Sequence, residues 1–322
     1  MVKGIAYALG ACLAWGLIYV IPQFLDGFTS IEITLGCYLF YGLISLALFF
    51  YDLSIGKGKF PWAIWYKASY FSLVCTIAYY TFIVLALRFA TPAICALTLG
   101  ISPIAIAFYG NWKKKECRYR SLILPTILIA LGHLIINIPQ LNAGESPSTY
   151  LLGLFCAFIA LVCWAWYAIE NAQFLKENPH IASGDWSTLI GVTTLFWVFV
   201  GVAIISIFFT DLIEFQKYGT LEAPVIKFFM GCTVLGLVCT WLAAFLWNSA
   251  SVSLPISLLG QLAVFETIFG LVYVYTLDGR LPFISEYIGI SLFLTAVAYG
   301  IRASSQRADL KTQATTNSSL II

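Results

Sequence analysis

Apolar runs of about 20 residues recur along this chain, separated by short polar segments. A helix rises 1.5 Å per residue, so such a run matches the roughly 30 Å hydrocarbon core of a bilayer. Ten runs can be marked: Gly4–Pro22, Ile31–Tyr51, Trp65–Phe89, Pro92–Tyr109, Leu122–Ile138, Tyr150–Asn171, Trp186–Phe209, Val225–Ala250, Pro255–Tyr275 and Phe283–Ile301. Pro103 interrupts the fourth. The connections are short apart from Asp52–Tyr66, Gln173–Asp185 and Thr210–Ala223, and none has room for a soluble domain. Residues 303–322 are polar and rich in Thr, Ser, Gln and Asn, which predicts a disordered tail. The pattern predicts an all-α integral membrane protein of ten transmembrane helices.

Composition agrees. The chain is 61% hydrophobic and 10% charged, against about 25% charged in soluble domains. Met1-Val2-Lys3 leads into an apolar run too long for a signal peptide, so it reads as the first span. With the amino terminus inside, Lys3, Lys57, Lys59, Lys67, Lys113, Lys114, Lys115, Arg118, Arg120, Lys176, Arg302, Arg307 and Lys311 fall on the inner side. Only Arg88, Lys217, Lys227 and Arg280 fall outside, so both termini are expected in the cytoplasm, at the cell (inner) membrane. The nine cysteines lack metal or disulfide spacing and read as small packing residues. No Walker, His-Glu-x-x-His or Gly-x-Ser-x-Gly motif is present. No cofactor, metal, nucleic acid or enzymatic reaction is therefore expected. An intramembrane enzyme would have to join His133 to Glu266, the available acid/base pair, and a receptor would need a signalling domain.

An internal repeat organises the chain. Trp15-Gly16 in the first span matches Trp164-Ala165 in the sixth, and Pro92 opening the fourth matches Pro255 opening the ninth. Each half, 1–141 and 150–302, then holds five spans. An odd number makes the second half enter the membrane from the opposite side. This is the inverted repeat of secondary transporters, with a solute site near the midplane between the halves.

The chain resembles the drug/metabolite transporter superfamily in its ten-helix EamA-type branch. The resemblance rests on Leu13-Ala14-Trp15-Gly16, Ala86-Leu87-Arg88-Phe89-Ala90-Thr91-Pro92-Ala93, Ile101-Ser102-Pro103-Ile104, and Leu281-Pro282-Phe283-Ile284-Ser285-Glu286-Tyr287-Ile288-Gly289. Tyr79, Trp164 with Tyr167, and Trp247-Asn248 are most similar to YddG-type amino-acid exporters. The resemblance implies alternating access, peripheral fifth and tenth helices, and a cavity lined by spans one, three, four, six, eight and nine. Two departures stand out. The second repeat lacks the proline usual near Glu266-Thr267, and Asp278-Gly279-Arg280 replaces the acidic residue common after the ninth span.

Glu266 lies mid-depth in the ninth span, where a charge costs roughly 2.5–3.5 kcal/mol. It reads either as a carboxylate for a cation or proton, or as a packing carboxyl bonded to a neighbouring helix. His133 reads as a proton relay or as a helix-packing group. Trp15 and Tyr19 share one helix face, as do Trp164 and Tyr167, and with Tyr79, Tyr80, Trp247 and Asn248 they are candidates to line the solute cavity. Glu170 and Asn171 read as a solvated helix end, with a gate as the alternative. The expected solute is a small polar metabolite, foremost an amino acid moved outward. The alternative is a cationic amine, quaternary ammonium compound or larger amphipathic metabolite with Glu266 as counter-ion, for which uptake is as plausible. A proton or other ion is the candidate coupling partner, and monomer and homodimer stay open.

Overall fold

The computed structural model describes residues 1–25, 27–89, 98–114, 119–137, 147–209, 213, 215–219 and 222–319. The described elements are all helical. In chain order they are α1 Val2–Gly16, α2 Ser30–Ser54, α3 Trp62–Ser72, α4 Tyr79–Phe89, α5 Ser102–Lys114, α6 Arg120–Asn137 and α7 Pro147–Glu177. The second half holds α8 Ser183–Phe208, α9 Ala223–Val234, α10 Ala243–Ser253, α11 Ile256–Leu262, α12 Phe265–Asp278 and α13 Ile284–Ser319. Seven helical stretches are long and apolar enough to cross a membrane: Val2–Phe24, Ser30–Ser54, Leu151–Glu177, Ser183–Phe208, Ala223–Ser253, Ile256–Asp278 and Ile284–Arg302. Arg120–Ile136 is apolar but shorter. The protein is thus an all-α, multi-pass membrane protein.

Several expected spans are interrupted or extended. α1 ends at Gly16 and gives way to tighter 3-10 turns at Leu17–Tyr19 and Ile21–Phe24, the latter holding Pro22, whose ring lacks an N–H. α3 and α4 are joined by a π-helical stretch, Leu73–Ala78, and α9 and α10 by another, Leu235–Leu242. α11 and α12 meet at a turn over Ala263–Val264. The chain turns similarly at Gly100–Ile101 before α5, while the expected start of that span, Pro92, lies outside the described residues. α7 continues six residues past Asn171, to Glu177. α13 continues to Ser319, where composition predicts a disordered tail. Its final stretch keeps Ala, Leu, Lys, Gln and Arg, which favour helix without needing an apolar face.

Local chemistry fixes the helix ends. A capping box starts α2: the Thr29 amide donates to Glu32 Oε2 (2.7 Å) and the Glu32 amide to Thr29 Oγ1 (3.2 Å). Gly279 ends α12 in the left-handed conformation (φ 62°), which glycine adopts without steric cost. Arg280 then pairs with both oxygens of Glu286 (2.9 and 3.2 Å) between the rings of Tyr275 and Phe283. That pairing raises the Arg280 pKa, chiefly through the hydrogen bonds to Glu286.

The helices sort into two groups. In one, α7 packs on α4 and α5; in the other, α1 packs on α10 and α12. α5 crosses α11 between the groups, and a Cβ on Gly260 there would sit 3.0 Å from the Pro103 carbonyl oxygen. α2 packs on α8, and α6 on α13. At the end of the bundle where α1 begins, Gly4 meets Ser253 and Leu254, and the Lys176 ammonium caps the α10 terminus at the Leu254 carbonyl (2.7 Å). At the opposite end, Tyr218 donates to Glu32 Oε1 (3.2 Å) and Tyr80 to the Ser30 carbonyl (2.7 Å). Burial, and then the Glu32 carboxylate, push the Tyr218 hydroxyl above the usual phenol range.

Candidate solute site

The site forms where α1 passes the break between α11 and α12. At that break the Ala263 amide is shared between the Leu259 and Gly260 carbonyls (3.2 and 3.3 Å), and the Glu266 amide bonds the Ala263 carbonyl (3.1 Å). The ladder tightens there, and Glu266 falls in the first turn of α12, where the helix dipole favours a negative charge. α1 comes close because both surfaces are small: a Cβ on Gly16 would lie 2.9 Å from the Gly270 amide nitrogen. The Cys12 thiol donates to the Leu262 carbonyl (3.5 Å), beside the break. The Tyr19 ring packs on Gly270, and its hydroxyl donates to Glu266 Oε1 at 3.4 Å, a long bond.

The Glu266 carboxylate is half-buried. Tyr19 is its side-chain hydrogen-bond partner, and among the described residues no lysine or arginine pairs with it. Tyr79 and Cys12 lie near it.

Beside Glu266 runs a connected series of rings. Tyr79 lies 5.9 Å from Trp164, Trp164 5.8 Å from Trp15 in an edge-to-face arrangement, and Trp15 5.1 Å from Trp247. Tyr167 joins the series 5.9 Å from Trp164. These spacings suit aromatic pairing, and each ring offers a π face to a planar or cationic solute. Rings from both helix groups meet here: Tyr79, Trp164 and Tyr167 from one, Trp15 and Trp247 from the other. Tyr19 is 47% exposed, while Trp247, at one end of the series, is 1% exposed.

Three expected site residues lie elsewhere. Tyr80 turns away from Trp164, packs edge-on to Tyr38 (6.4 Å) and holds the start of α2 through Ser30. Neighbouring helix residues point about 100° apart, so Tyr79 and Tyr80 cannot both face the ring series. Asn248 is 1% exposed, and both its amide atoms are engaged: Oδ1 accepts from Asn171 (2.7 Å) and Nδ2 donates to Ser187 Oγ (2.8 Å). His133 packs on the Phe293 ring (4.7 Å) and against Gly100, in the seam between α6 and α13. Asn171 is itself fully buried, so it is not a solvated helix end. Cys12 was not singled out by sequence reasoning. Its i, i+3 spacing to Trp15, which puts the two on one helix face, is the available signal.

The comparisons with known proteins bear on this geometry. Residues 2–138 match the EamA-like transporter family. Over 316 residues the chain is 29% identical to the Inner membrane protein YtfF of Escherichia coli (strain K12), covering 95% of this chain and 97% of that protein. A solved crystal structure superposes with a TM-score of 0.76 at 16% identity, covering 95% of this chain and 99% of that one, which establishes a common fold. The similarity of residues 2–138 is thus to transporters, and it takes in α1, with Trp15 and Tyr19, and α4, with Tyr79.

Proposed function

We propose that this protein is a secondary transporter that moves a small polar metabolite by alternating access. It is built as ten membrane helices in two inverted five-helix repeats, 1–141 and 150–302. The packing supports this reading through its reciprocity. α1 on α10 has its counterpart in α7 on α4, and α1 on α12 in α7 on α5. α2 with α8 and α6 with α13 each pair an element with its own counterpart. The two π stretches, Leu73–Ala78 and Leu235–Leu242, occupy equivalent helices.

The observation that carries the reading is Glu266, a carboxylate without a cationic partner among the described residues, beside rings from both helix groups. A mid-depth charge of this kind marks a solute or ion path. The solute meets Trp15, Tyr19, Tyr79, Trp164, Tyr167 and Trp247, with Glu266 receiving its ammonium group. Glu266 is also the group for proton coupling; His133, wedged against Phe293, packs helices. The Lys and Arg distribution supports cytoplasmic termini, and the similarity to YtfF supports an inner-membrane location.

An amino acid moved outward is the solute implied by the resemblance to YddG-type exporters. A cationic amine is the second reading, and a specific observation favours it. The site offers a carboxylate and π faces, but among the described residues no lysine or arginine pairs with Glu266 and none joins the ring series to meet an amino acid's carboxylate.

Ligand-induced thermal stabilisation tests both. A ligand at 100 times its Kd stabilises the folded state by about 2.7 kcal/mol. Neutral, aromatic and cationic amino acids and choline-like amines are compared on wild type and Glu266→Gln. Stabilisation by amino acids in both proteins supports the first reading and makes Glu266 structural. Stabilisation by amines that shrinks in Glu266→Gln supports the second. Silence across the panel removes both solutes.

A further inference from the structure

One end of the bundle is closed by polar atoms that the solute site does not use. Trp186 Nε1 donates to Asn171 Oδ1 (2.6 Å), Asn171 Nδ2 to Asn248 Oδ1 (2.7 Å), Asn248 Nδ2 to Ser187 Oγ (2.8 Å), and Ser187 Oγ to the Ser183 carbonyl (2.9 Å). Trp186, Asn171 and Ser187 are fully buried and Asn248 nearly so. Within one to two turns, Lys176 reaches the Leu254 carbonyl (2.7 Å). Asn171 and Lys176 sit on α7, in the group with α4 and α5; Asn248 and Leu254 sit on α10 and just beyond it, in the group with α1 and α12. Both links therefore join one helix group to the other, at the end where α1 begins.

Among the described residues the opposite end shows no equivalent. The displacement that carries Trp15 onto Trp164 carries Pro22 onto Asn171, and the one that carries Pro92 onto Pro255 carries Leu85 onto Asn248. A proline and a leucine cannot exchange amide hydrogen bonds. α7 packs on α10, but among the described residues α1 shows no comparable packing on α4. α1 is instead broken there by its 3-10 turns, and Tyr19 is exposed.

We propose that the Asn171–Asn248 pair, held by Trp186 and Ser187, is the gate on this side of the solute site. Its hydrogen bonds break each time the site opens toward the end that carries the amino terminus. The proposal rests on the transporter reading. It also accounts for so much polarity in an otherwise apolar interior: once parted, these amides and hydroxyls line a wet passage. Amides that bond each other when closed and water when open make the two states close in energy, which a reversible gate requires.

The test uses the full chain, free of native cysteines and reconstituted in vesicles. A reporter cysteine replaces Ser251, which is fully buried on α10 one turn beyond Asn248. A control cysteine replaces Ser45, equally buried on α2. Labelling by a membrane-impermeant maleimide is measured alone, with Asn248→Leu, and with Trp186→Phe, which removes one donor. Inter-helix hydrogen bonds in membranes average about 0.6 kcal/mol, close to threefold each. Losing the two made by Asn248 is expected to raise labelling at Ser251→Cys about eightfold, with a smaller rise in Trp186→Phe and none at Ser45→Cys. No rise at Ser251→Cys in either variant overturns the proposal. An equal rise at Ser45→Cys also overturns it, because that reports general loosening. The thermal panel fails separately if the transporter reading itself is wrong.

Discussion

At the scale of single residues, Glu266 has the strongest consequences. A hydrogen bond to a charged group contributes about 1.5–3 kcal/mol, and cation–π contacts about 0.5–2 kcal/mol. Glu266→Gln is therefore expected to weaken a primary ammonium compound, whose N–H groups can donate to the carboxylate, at least tenfold without abolishing binding, as calorimetric titration would record. Trp164→Ala removes the ring that touches Trp15, Tyr79 and Tyr167 together, and weakens the same amine independently of charge. Retained affinity in Trp164→Ala would take the rings out of the site. Asn248→Ala leaves Asn171 Nδ2 without its acceptor, and an unsatisfied buried donor costs about 1–3 kcal/mol. Its melting temperature in detergent should fall without any change in response to amines. These residue types were legible in the sequence: an acid in mid-span and aromatics at one-turn spacing point to a site unaided. Their partners were not. Tyr79 and Tyr80 are equivalent in composition, and only the rotation of α4 separates a ring facing Trp164 from one holding Ser30. Asn171 and Asn248 lie 77 positions apart, and no local pattern joins them.

At the scale of elements, close approach is the controlling quantity. Gly16 and Gly270 let α1 lie against α12 and bring Tyr19 to Glu266. Gly16→Val puts a branched side chain 2.9 Å from backbone that cannot yield. Overpacking of this kind costs typically about 1–3 kcal/mol. Thermal unfolding should drop accordingly, and amine binding should fall with it as Tyr19 leaves the carboxylate. An unchanged melting temperature would mean that the two helices separate freely. Seven of the expected spans were visible as apolar runs and are membrane-length helices among the described residues. Their breaks were not, because a 3-10 turn or a π stretch within a uniformly apolar segment changes hydrogen bonding without changing hydropathy. The break at Ala263–Val264 has no proline or glycine to announce it.

At the scale of the molecule, the principal helix pairs (α1 with α10, α4 with α7, α2 with α8, α5 with α11, α6 with α13) all join the first half of the chain to the second. Each half exposes most of its packing surface without the other. Residues 1–146 expressed alone should aggregate, as should 147–322, while co-expression of the two fragments should give a monodisperse complex in detergent. A monodisperse single half would contradict the interleaving. The proposed duplication rests on Trp15 and Trp164, and on Pro92 and Pro255, but duplication alone does not say whether two halves sit side by side or interpenetrate.

The wide turns at Leu73–Ala78 and Leu235–Leu242 hold one more residue per turn than the helices they join. If the first closed into ordinary α-helix with every residue kept, everything beyond it would rotate by about 100°. Tyr79 would swing off Trp164, and Tyr80 would move away from Ser30. Closing that turn would thus do what no side-chain replacement can: leave every chemical group of α4 in place while pointing all of them at the wrong neighbours. These two stretches set the phase of the molecule, and a change of phase is a small motion by which one chain can present two different faces to the same solute.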